Sequence, residues 1–342
     1  MPQSLISVII PVYNAEKTIE RCVKSIVSHQ ASVEIICVDD GSADNSFQIL
    51  NDLSKEDARL IVVHQTNSGA GEARNTGLKK AVGEYIMFCD ADDCYAEDTI
   101  DLIVEDIKAY QQDYLVFHRK TVTLNGNTTY WGVGENVLKL ECDWYEYLNT
   151  YMNQRSHGGG VVTKVFKKSI IEKNDIHFER FIFGEDIWFN LTYIRNAHSF
   201  VEDYRAYYIQ YQTSGSICLR PYSNYIDLNM EYVEKFRAYF PQDYNHLQGY
   251  FANYYYGTLI WAITRIMDGV DAHGFSHKLS AVRNMCFRSE TPMYLGYLKE
   301  HGRLELSSIK RCNDLLNKRY FKYLICYYYL PKIKSVIVRI IR

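Results

Sequence analysis

The sequence lacks a strong net charge, clustered cysteines and long apolar runs, and each absence argues against a class of protein. A formal charge of −3 over 342 residues gives no general attraction to nucleic acid, which argues against a basic-patch binder. The nine cysteines are scattered and show no C-x-x-C spacing, which favours buried reduced thiols over a metal site or disulfides. Because no apolar run reaches roughly 18 residues, no membrane-spanning helix is predicted.

What is present is the composition of an ordinary globular protein. Hydrophobic residues make up 47% and charged residues 23% of the chain, which excludes wholesale disorder. The length suits two domains, or one large α/β domain with an appendage. The first apolar run, residues 5–12, is too short for a signal peptide, so we expect a cytoplasmic protein.

Strand-like and helix-like stretches alternate in the first part of the chain. Apolar runs of strand length occupy residues 5–12, 33–38, 60–64 and 85–89, and amphipathic stretches at residues 19–27 and 70–82 predict helices. This alternation predicts a parallel sheet with right-handed crossovers. Ligands of such sheets bind at the carboxyl ends of the strands.

The pattern changes near residue 114. Residues 114–124 and 128–133 predict an antiparallel pair that turns at Asn125-Gly126. A strand at 159–166, a helix at 184–195 and a strand at 199–211 are predicted next, followed by tyrosine-rich, mostly helical sequence. We therefore predict an α/β fold with a mixed, mainly parallel sheet and a helical C-terminal extension, divided at residues 1–113, 114–215 and 216–342.

The predicted strand ends carry a cluster of acidic residues: Asp39, Asp40, Asp90, Asp92 and Asp93. Gly69-x-Gly71 imitates a dinucleotide-binding fingerprint, but Arg74 stands where its third glycine belongs. Clustered carboxylates would also repel a pyrophosphate, unless a divalent cation with oxygen ligands neutralises them. Asp-x-Asp alone is often only a turn, and its alignment with a second acidic strand end favours a site.

Two further residues near this cluster have open roles. The Arg74 guanidinium can pair with a diphosphate or with an aspartate of the site, or it can be a surface side chain. The ring of Tyr13 can stack on a base or cover the end of the sheet.

Five stretches in order, residues 7–14, 38–42, 67–77, 85–93 and 184–186, together resemble the family 2 glycosyltransferases of the GT-A fold. The resemblance implies a nucleotide-sugar donor (most often a UDP-sugar), a Mn²⁺ or Mg²⁺ ion and inversion at the anomeric carbon. Position by position, it implies donor-site roles for the residues that match the family's donor motifs: Pro11, Val12 and Tyr13 around the nucleoside, Asp40 on the base, Arg74, Asp90 and Ala91 in the donor site, and Asp92 on the metal. The adjacent Asp93 is expected to shape the turn.

The same resemblance implies a catalytic base in the second half. Residues 183–189 match the family's E-D motif, so Asp186 is expected to deprotonate the acceptor hydroxyl. A carboxylate pair at a helix N-terminus is also favoured by the helix dipole alone. Glu185 and Trp188 are weaker acceptor-site candidates, and Trp188 can equally be a core residue of that helix. Lys164 resembles a family lysine of uncertain role.

The chain has no Q-x-x-R-W, the mark of processive synthases in this family, which indicates transfer of a single sugar. After Asp314 the tail has seven basic residues, no acidic residue and many aromatic and aliphatic ones, which suits peripheral binding to an anionic membrane or a packed helix. We therefore expect a glycan or lipid-linked glycan acceptor in bacterial surface polysaccharide synthesis. The alternatives are a nucleotidyltransferase, which would need a phosphate loop that residues 11–16 lack, and a non-catalytic sugar-nucleotide-binding module.

Overall fold

The computed structural model describes residues 4–27, 32–131, 134, 136–152, 160–212, 225–268, 275–286, 288, 290–301, 310–311, 314–315 and 317. Its contacts divide the chain into two compact units, residues 1–216 and residues 217–342. The finer division of the first unit at residue 113 stays a prediction.

Within the described residues of the first unit, the strands form one mixed sheet. They are β1 (Ile6–Val12), β2 (Val33–Asp39), β3 (Leu60–His64), β4 (Tyr85–Phe88), β5 (Cys94–Tyr95), β6 (Tyr114–Val122), β7 (Thr128–Trp131), β8 (Val137–Leu140), β9 (Lys164–Lys167) and β10 (Phe200–Tyr211). Their order is β3-β2-β1-β4-β9-β6-β10-β5, with β7 beside β6 and β8 beside β10. Strands β1 to β4 run parallel, β9 is antiparallel to both neighbours, and β6 is parallel to β10. The predicted α/β class is confirmed.

Helices cover this sheet. They are α1 (Ile19–Val27), α2 (Ser46–Glu56), α3 (Ala70–Lys80), α4 (Thr99–Tyr110), α5 (Trp144–Glu146) with a π-helical turn (Tyr147–Met152), α6 (Lys168–Lys173) and α7 (Glu185–Ile194). The apolar face of α1 is buried in the core, as its spacing predicts. Helix α3 lies directly on β1, because a Cβ at Gly77 would stand 2.4 Å from Cγ2 of Ile9. This close packing holds the N-terminus of α3 near the ends of the strands.

Strand register brings the acidic loops to one edge. Val12 of β1 pairs with Asp39 of β2, which pairs with His64 of β3. On the other side of β1, Ile9 pairs with Phe88 of β4. The residues that follow these strands therefore meet at the carboxyl edge of the sheet, which confirms the predicted convergence.

Several elements differ from the sequence-based expectation. Helix α4 and the short strands β5 and β8 had no clear signal in the sequence. The strand predicted at residues 159–166 begins at Lys164, and Gly159 lies outside the described residues. Helix α3 ends at Lys80, because Ala81 adopts an extended backbone.

The second unit is helical in its described part, as predicted. Its helices are α8 (Tyr225–Tyr239), α9 (Pro241–His246), α10 (Gln248–Asp268), α11 (Phe275–Cys286) and α12 (Glu290–Glu300). Two of its buried tyrosines, Tyr244 and Tyr294, share a hydrogen bond between their hydroxyls at 2.9 Å. Among the described helices of the whole chain, none has the length and hydropathy needed to span a membrane. Most of the basic tail, residues 318–342, lies outside the described residues.

Candidate active site

The loop after β2 is held by the side chain of Asp40. This carboxylate is buried and accepts hydrogen bonds from the amide N–H groups of Ser68 and Gly69, at 2.9 and 2.8 Å, and from Nε2 of Gln65 at 2.8 Å. Gly69 has φ of +93°, a conformation that favours glycine, and α3 begins at the next residue. Asp40 therefore shapes the loop that leads into α3, and its predicted contact with a base stays a prediction.

The end of β1 presents one exposed aromatic ring. Tyr13 has 54% of its surface exposed, whereas Val12 is fully buried and Pro11 is half-buried. The carbonyl oxygen of Val12 accepts a hydrogen bond from the amide of Asp40 at 2.8 Å. Of these three candidates for the nucleoside pocket, Tyr13 is the side chain with free surface for stacking.

Arg74 connects the two halves of the predicted site. Its Nη2 lies 2.9 Å from Oδ1 of Asp90, and its Nη1 lies 3.1 Å from Oδ1 of Asp186. The side chain is only 6% exposed. Burial tends to lower the pKa of Arg74, but the neighbouring carboxylates, led by Asp186, outweigh it and raise that pKa. Of the roles left open by the sequence, pairing with aspartates is the one present in this structure.

Helix α7 presents the E-D pair at its N-terminus. It starts after Gly184, whose φ is +95°. Burial raises the pKa of Asp186, and the positive charges of Arg74 and Lys164 oppose this rise. Burial and the charge of Asp186 raise the pKa of Glu185 to about 7. Burial thus raises the pKa values of both adjacent carboxylates, and such perturbed groups are common in active sites.

Lys164 is a buried cation of the site whose importance the sequence hardly indicated. It stands on β9, is 1% exposed, and donates a hydrogen bond to Oγ1 of Thr163 at 3.0 Å. Burial and the charge of Arg119 lower the pKa of Lys164 to about 7, while Asp186 opposes this shift. The one available signal was a lysine inside an otherwise apolar strand, since such a charge is seldom fully buried without a purpose.

The loop after β4 carries the other carboxylates. The amide of Asp90 donates to the hydroxyl of Tyr208 at 3.1 Å, and Asp93 accepts from the amide of Tyr211 at 2.8 Å. Burial and the charge of Asp90 raise the pKa of Asp93 to about 8, with a smaller contribution from Asp92. Ala91 is buried. Asp93 thus holds the turn against β10, in the manner that the sequence predicted.

The chemistry of this loop suits part of a divalent-cation site. Its close carboxylates provide hard oxygen donors and excess negative charge, which a metal ion would neutralise. Among the described residues, however, no group of three or more His, Cys, Asp or Glu side chains could hold a metal ion. Asp92 lies on this loop, and its role as a metal ligand stays a prediction.

Trp188 takes the position of a core residue. It is 6% exposed and its ring lies edge-on to Phe181, with centroids 6.0 Å apart. Ile187, the preceding residue of the same helix, is only half-buried. An acceptor contact of Trp188 stays a prediction, since this conformation leaves little of its ring accessible.

The sequence is similar to those of known glycosyltransferases. The family model described as Glycosyl transferase family 2 matches residues 7–177. The Bacillus subtilis protein named uncharacterized glycosyltransferase EpsJ is 31% identical over 243 residues, 69% of this chain and 70% of EpsJ. The Staphylococcus aureus poly(ribitol-phosphate) beta-N-acetylglucosaminyltransferase TarS is 31% identical over 216 residues, 61% of this chain and 36% of TarS. Among the first relatives the match spans from 27% to 70% of their own length.

Solved structures agree on the fold. The crystal structure of TarS 1–349 in complex with UDP-GlcNAc superposes with a TM-score of 0.55 at 20% identity, over 93% of this chain and 89% of that one. The mannosyltransferase PcManGT from Pyrobaculum calidifontis, in complex with GDP-Man and Mn²⁺, gives 0.51 at 15% identity, over 86% and 83%. At such identities the likeness extends to the architecture of the sheet and its helices alone.

Proposed function

Since this chain belongs to glycosyl transferase family 2, we propose that it is an inverting, metal-dependent enzyme that moves one sugar from a nucleotide-sugar. The donor is a UDP-sugar in this proposal, and the acceptor is a hydroxyl of a glycan or of a lipid-linked glycan. The product belongs to a bacterial surface polysaccharide. UDP-GlcNAc in the TarS structure supports the choice of donor.

The bridge through Arg74 is the observation that carries this proposal. It joins Asp90, at the end of a donor-side strand, to Asp186, at the N-terminus of α7. A donor held at the carboxyl edge of the sheet would thereby lie beside a candidate base. Direct displacement, which inverts the anomeric centre, needs this arrangement of a deprotonated acceptor and a bound donor.

Each residue then has a chemical task. Tyr13 stacks on the base. Asp92 would hold a divalent cation, which would stabilise the negative charge that develops on the leaving nucleoside diphosphate. Asp186 accepts the proton of the acceptor hydroxyl as the bond to the anomeric carbon forms. Glu185, whose pKa is raised to about 7 by burial and by Asp186, is its neighbour in the first turn of α7.

A donor screen tests the proposal. Release of nucleotide is measured over a panel of UDP-, GDP- and dTDP-sugars, with Mn²⁺, with Mg²⁺ and with excess EDTA. We expect release from one or a few UDP-sugars that stops in EDTA, and the anomeric configuration of the product, read by NMR, to be opposite to that of the donor. Metal-independent release or retained configuration would contradict the corresponding part of the proposal.

The sequence of the tail supports a place at an anionic membrane surface. Seven basic residues follow Asp314, and each contributes about 1 kcal/mol near such a surface. The full chain should co-sediment with vesicles rich in phosphatidylglycerol and be released in part by high salt. A chain truncated after residue 314 should remain in the supernatant. If both chains sediment with vesicles to the same extent, the tail does not bind membranes.

A further inference from the structure

Arg74 is saturated by carboxylates in a way that is unusual for a residue expected to bind a donor. Both of its terminal nitrogens are engaged, Nη2 with Asp90 at 2.9 Å and Nη1 with Asp186 at 3.1 Å. Its guanidinium lies 5.4 Å from the ring centroid of Phe178, and Nε is buried without a hydrogen-bond partner in the described part of the chain. With 6% of its side chain exposed, Arg74 offers little surface to a diphosphate.

We propose that Arg74 is a positioning residue of the transfer step, which acts by holding the Asp186 carboxylate in place. This inference rests on the proposed function, in which Asp186 is the base. A planar guanidinium with two carboxylates fixes the direction of both, and a positioned base loses most of its effect when its orientation is free. Arg74 therefore connects the donor loop to the base and contributes to turnover more than to donor affinity.

The surroundings of Asp186 explain why a cation is needed here. The charged and titratable groups that act on this carboxylate are Arg74 on α3, Asp90 after β4, Lys164 on β9 and Glu185 on α7 itself, together with the amide of Val161. Burial and two of these acids favour the protonated form, which cannot accept a proton. Arg74 contacts Asp186 directly, at 3.1 Å, so its removal should leave Asp186 protonated up to a higher pH.

Two substitutions separate charge from geometry. Arg74→Met removes both, whereas Arg74→Lys keeps a positive charge that can reach only one of the carboxylates. Arg205→Met is a matched control in the same unit, because Arg205 also bridges two aspartates, Asp203 at 2.8 Å and Asp106 at 2.9 Å. It controls for the stability lost when a bridging arginine is removed.

The experiment compares donor affinity with turnover. UDP with Mn²⁺ is titrated by calorimetry, and nucleotide release at saturating donor is followed from about pH 5.5 to about pH 9. We expect Arg74→Met to keep the Kd of UDP within about threefold, to lower kcat by about 10²-fold and to move the acid limb of the kcat profile upward by about one pH unit. Arg74→Lys should lower kcat while the acid limb of its pH profile stays near that of the wild type. Arg205→Met should leave the acid limb unchanged.

Several outcomes would overturn the inference. A Kd for UDP weakened by more than about tenfold, with kcat at saturation within about threefold, would make Arg74 a diphosphate ligand instead. A fall of kcat that is equal at every pH would give Arg74 a structural role only. If Asp186→Asn keeps full turnover, Asp186 is not the base and this inference fails with that assignment. If the wild type releases nucleotide from no donor, the proposed function fails, and the unfolding measurement below still tests the contact between Arg74 and Asp186.

Thermal unfolding tests the ion pair without any turnover. At pH 8 we expect Arg74→Met to lower Tm, and the loss to be about halved when Asp186→Asn is also present, because the uncompensated carboxylate is then gone. An equal loss in both backgrounds would show that Arg74 does not act through Asp186.

Discussion

Replacing Asp186 with asparagine should separate donor binding from sugar transfer. The substitution keeps Oδ1, which accepts the hydrogen bond from Nη1 of Arg74 at 3.1 Å, but the amide cannot accept the acceptor proton. A positioned base contributes about 10²–10⁴-fold to rate, on the order of 3–5 kcal/mol of barrier. We therefore expect kcat to fall by about that factor, while the Kd of UDP with Mn²⁺ stays within about threefold.

The stability of Asp186→Asn should change little, which makes the loss of turnover interpretable. The charge-assisted bond to Arg74 is weakened, but the cost of burying a second carboxylate beside Asp90 and Glu185 disappears. These terms have opposite signs, so we expect the free energy of unfolding to change by less than about 2 kcal/mol. Asp52→Asn, on the exposed surface of α2, is the matched control.

The assay is single-turnover nucleotide release at saturating donor, paired with calorimetry of UDP binding. Near-normal turnover, or a loss of affinity in parallel with activity, would refute the assignment of the base. Glu185→Gln is the informative partner, since Glu185 has a pKa of about 7 and no direct bond to Arg74 in the described structure. If turnover is lost in this variant and kept in Asp186→Asn, Glu185 is the base.

Three further predictions follow from single contacts. Asp92→Ala should abolish the increase in UDP affinity that Mn²⁺ causes, measured by calorimetry with and without EDTA, whereas an unchanged increase would place the metal elsewhere. Burial and the neighbouring Asp203 raise the pKa of Asp106 from 3.8 to about 7. Between these values the folded state holds a proton that the unfolded state loses, so wild-type stability should fall as the pH rises through this window. Asp106→Asn should reduce this fall, measured by urea unfolding between pH 5 and pH 8, by about 1–3 kcal/mol. Gly77→Ala would place a methyl group 2.4 Å from Ile9 and should lower the free energy of unfolding by about 1–3 kcal/mol in the same measurement. Gly126→Ala is the comparison for backbone strain alone, because its methyl group would meet no atom within 4 Å while its φ is positive.

The strands and the edge that carries the site could be predicted because their signals are local. A run of buried apolar residues followed by Asp, Asn or Gly indicates a strand and its end without reference to distant sequence. The third strand has the bounds that the apolar run suggests, Leu60–His64, and the parallel register follows from the helices between strands. The alternation of strands and helices is therefore enough to locate the acidic edge of the sheet.

The pairing of side chains could not be predicted in the same way. Arg74 and Asp186 are 112 positions apart, and the sequence left Arg74 with three possible roles of similar weight. The rotation of α7 about its axis is likewise decided by tertiary contacts, such as the stacking of Phe178 on Phe189 with centroids 4.3 Å apart. That rotation buries Trp188, which the sequence left open between an acceptor contact and the core, and it leaves Ile187 only half-buried.

The balance of charge at the site predicts that the metal ion and the donor strengthen each other's binding. Near neutral pH, Asp93 and Glu185 have pKa values of about 8 and 7, so burial keeps part of the cluster protonated, and Arg74 is already paired with two carboxylates. Lys164 is buried near Asp186 with a pKa lowered to about 7, so the described residues of the site hold little spare positive charge for a diphosphate, which carries several negative charges of its own. A metal ion at Asp92 would supply that charge, so the affinity for the donor should depend strongly on the metal. Mn²⁺ titrated with UDP present should bind much more tightly than Mn²⁺ alone, and by linkage UDP should gain the same factor from Mn²⁺. If the two ligands bind independently, the diphosphate is met by a protein cation, and the assignment of Asp92 as metal ligand is wrong.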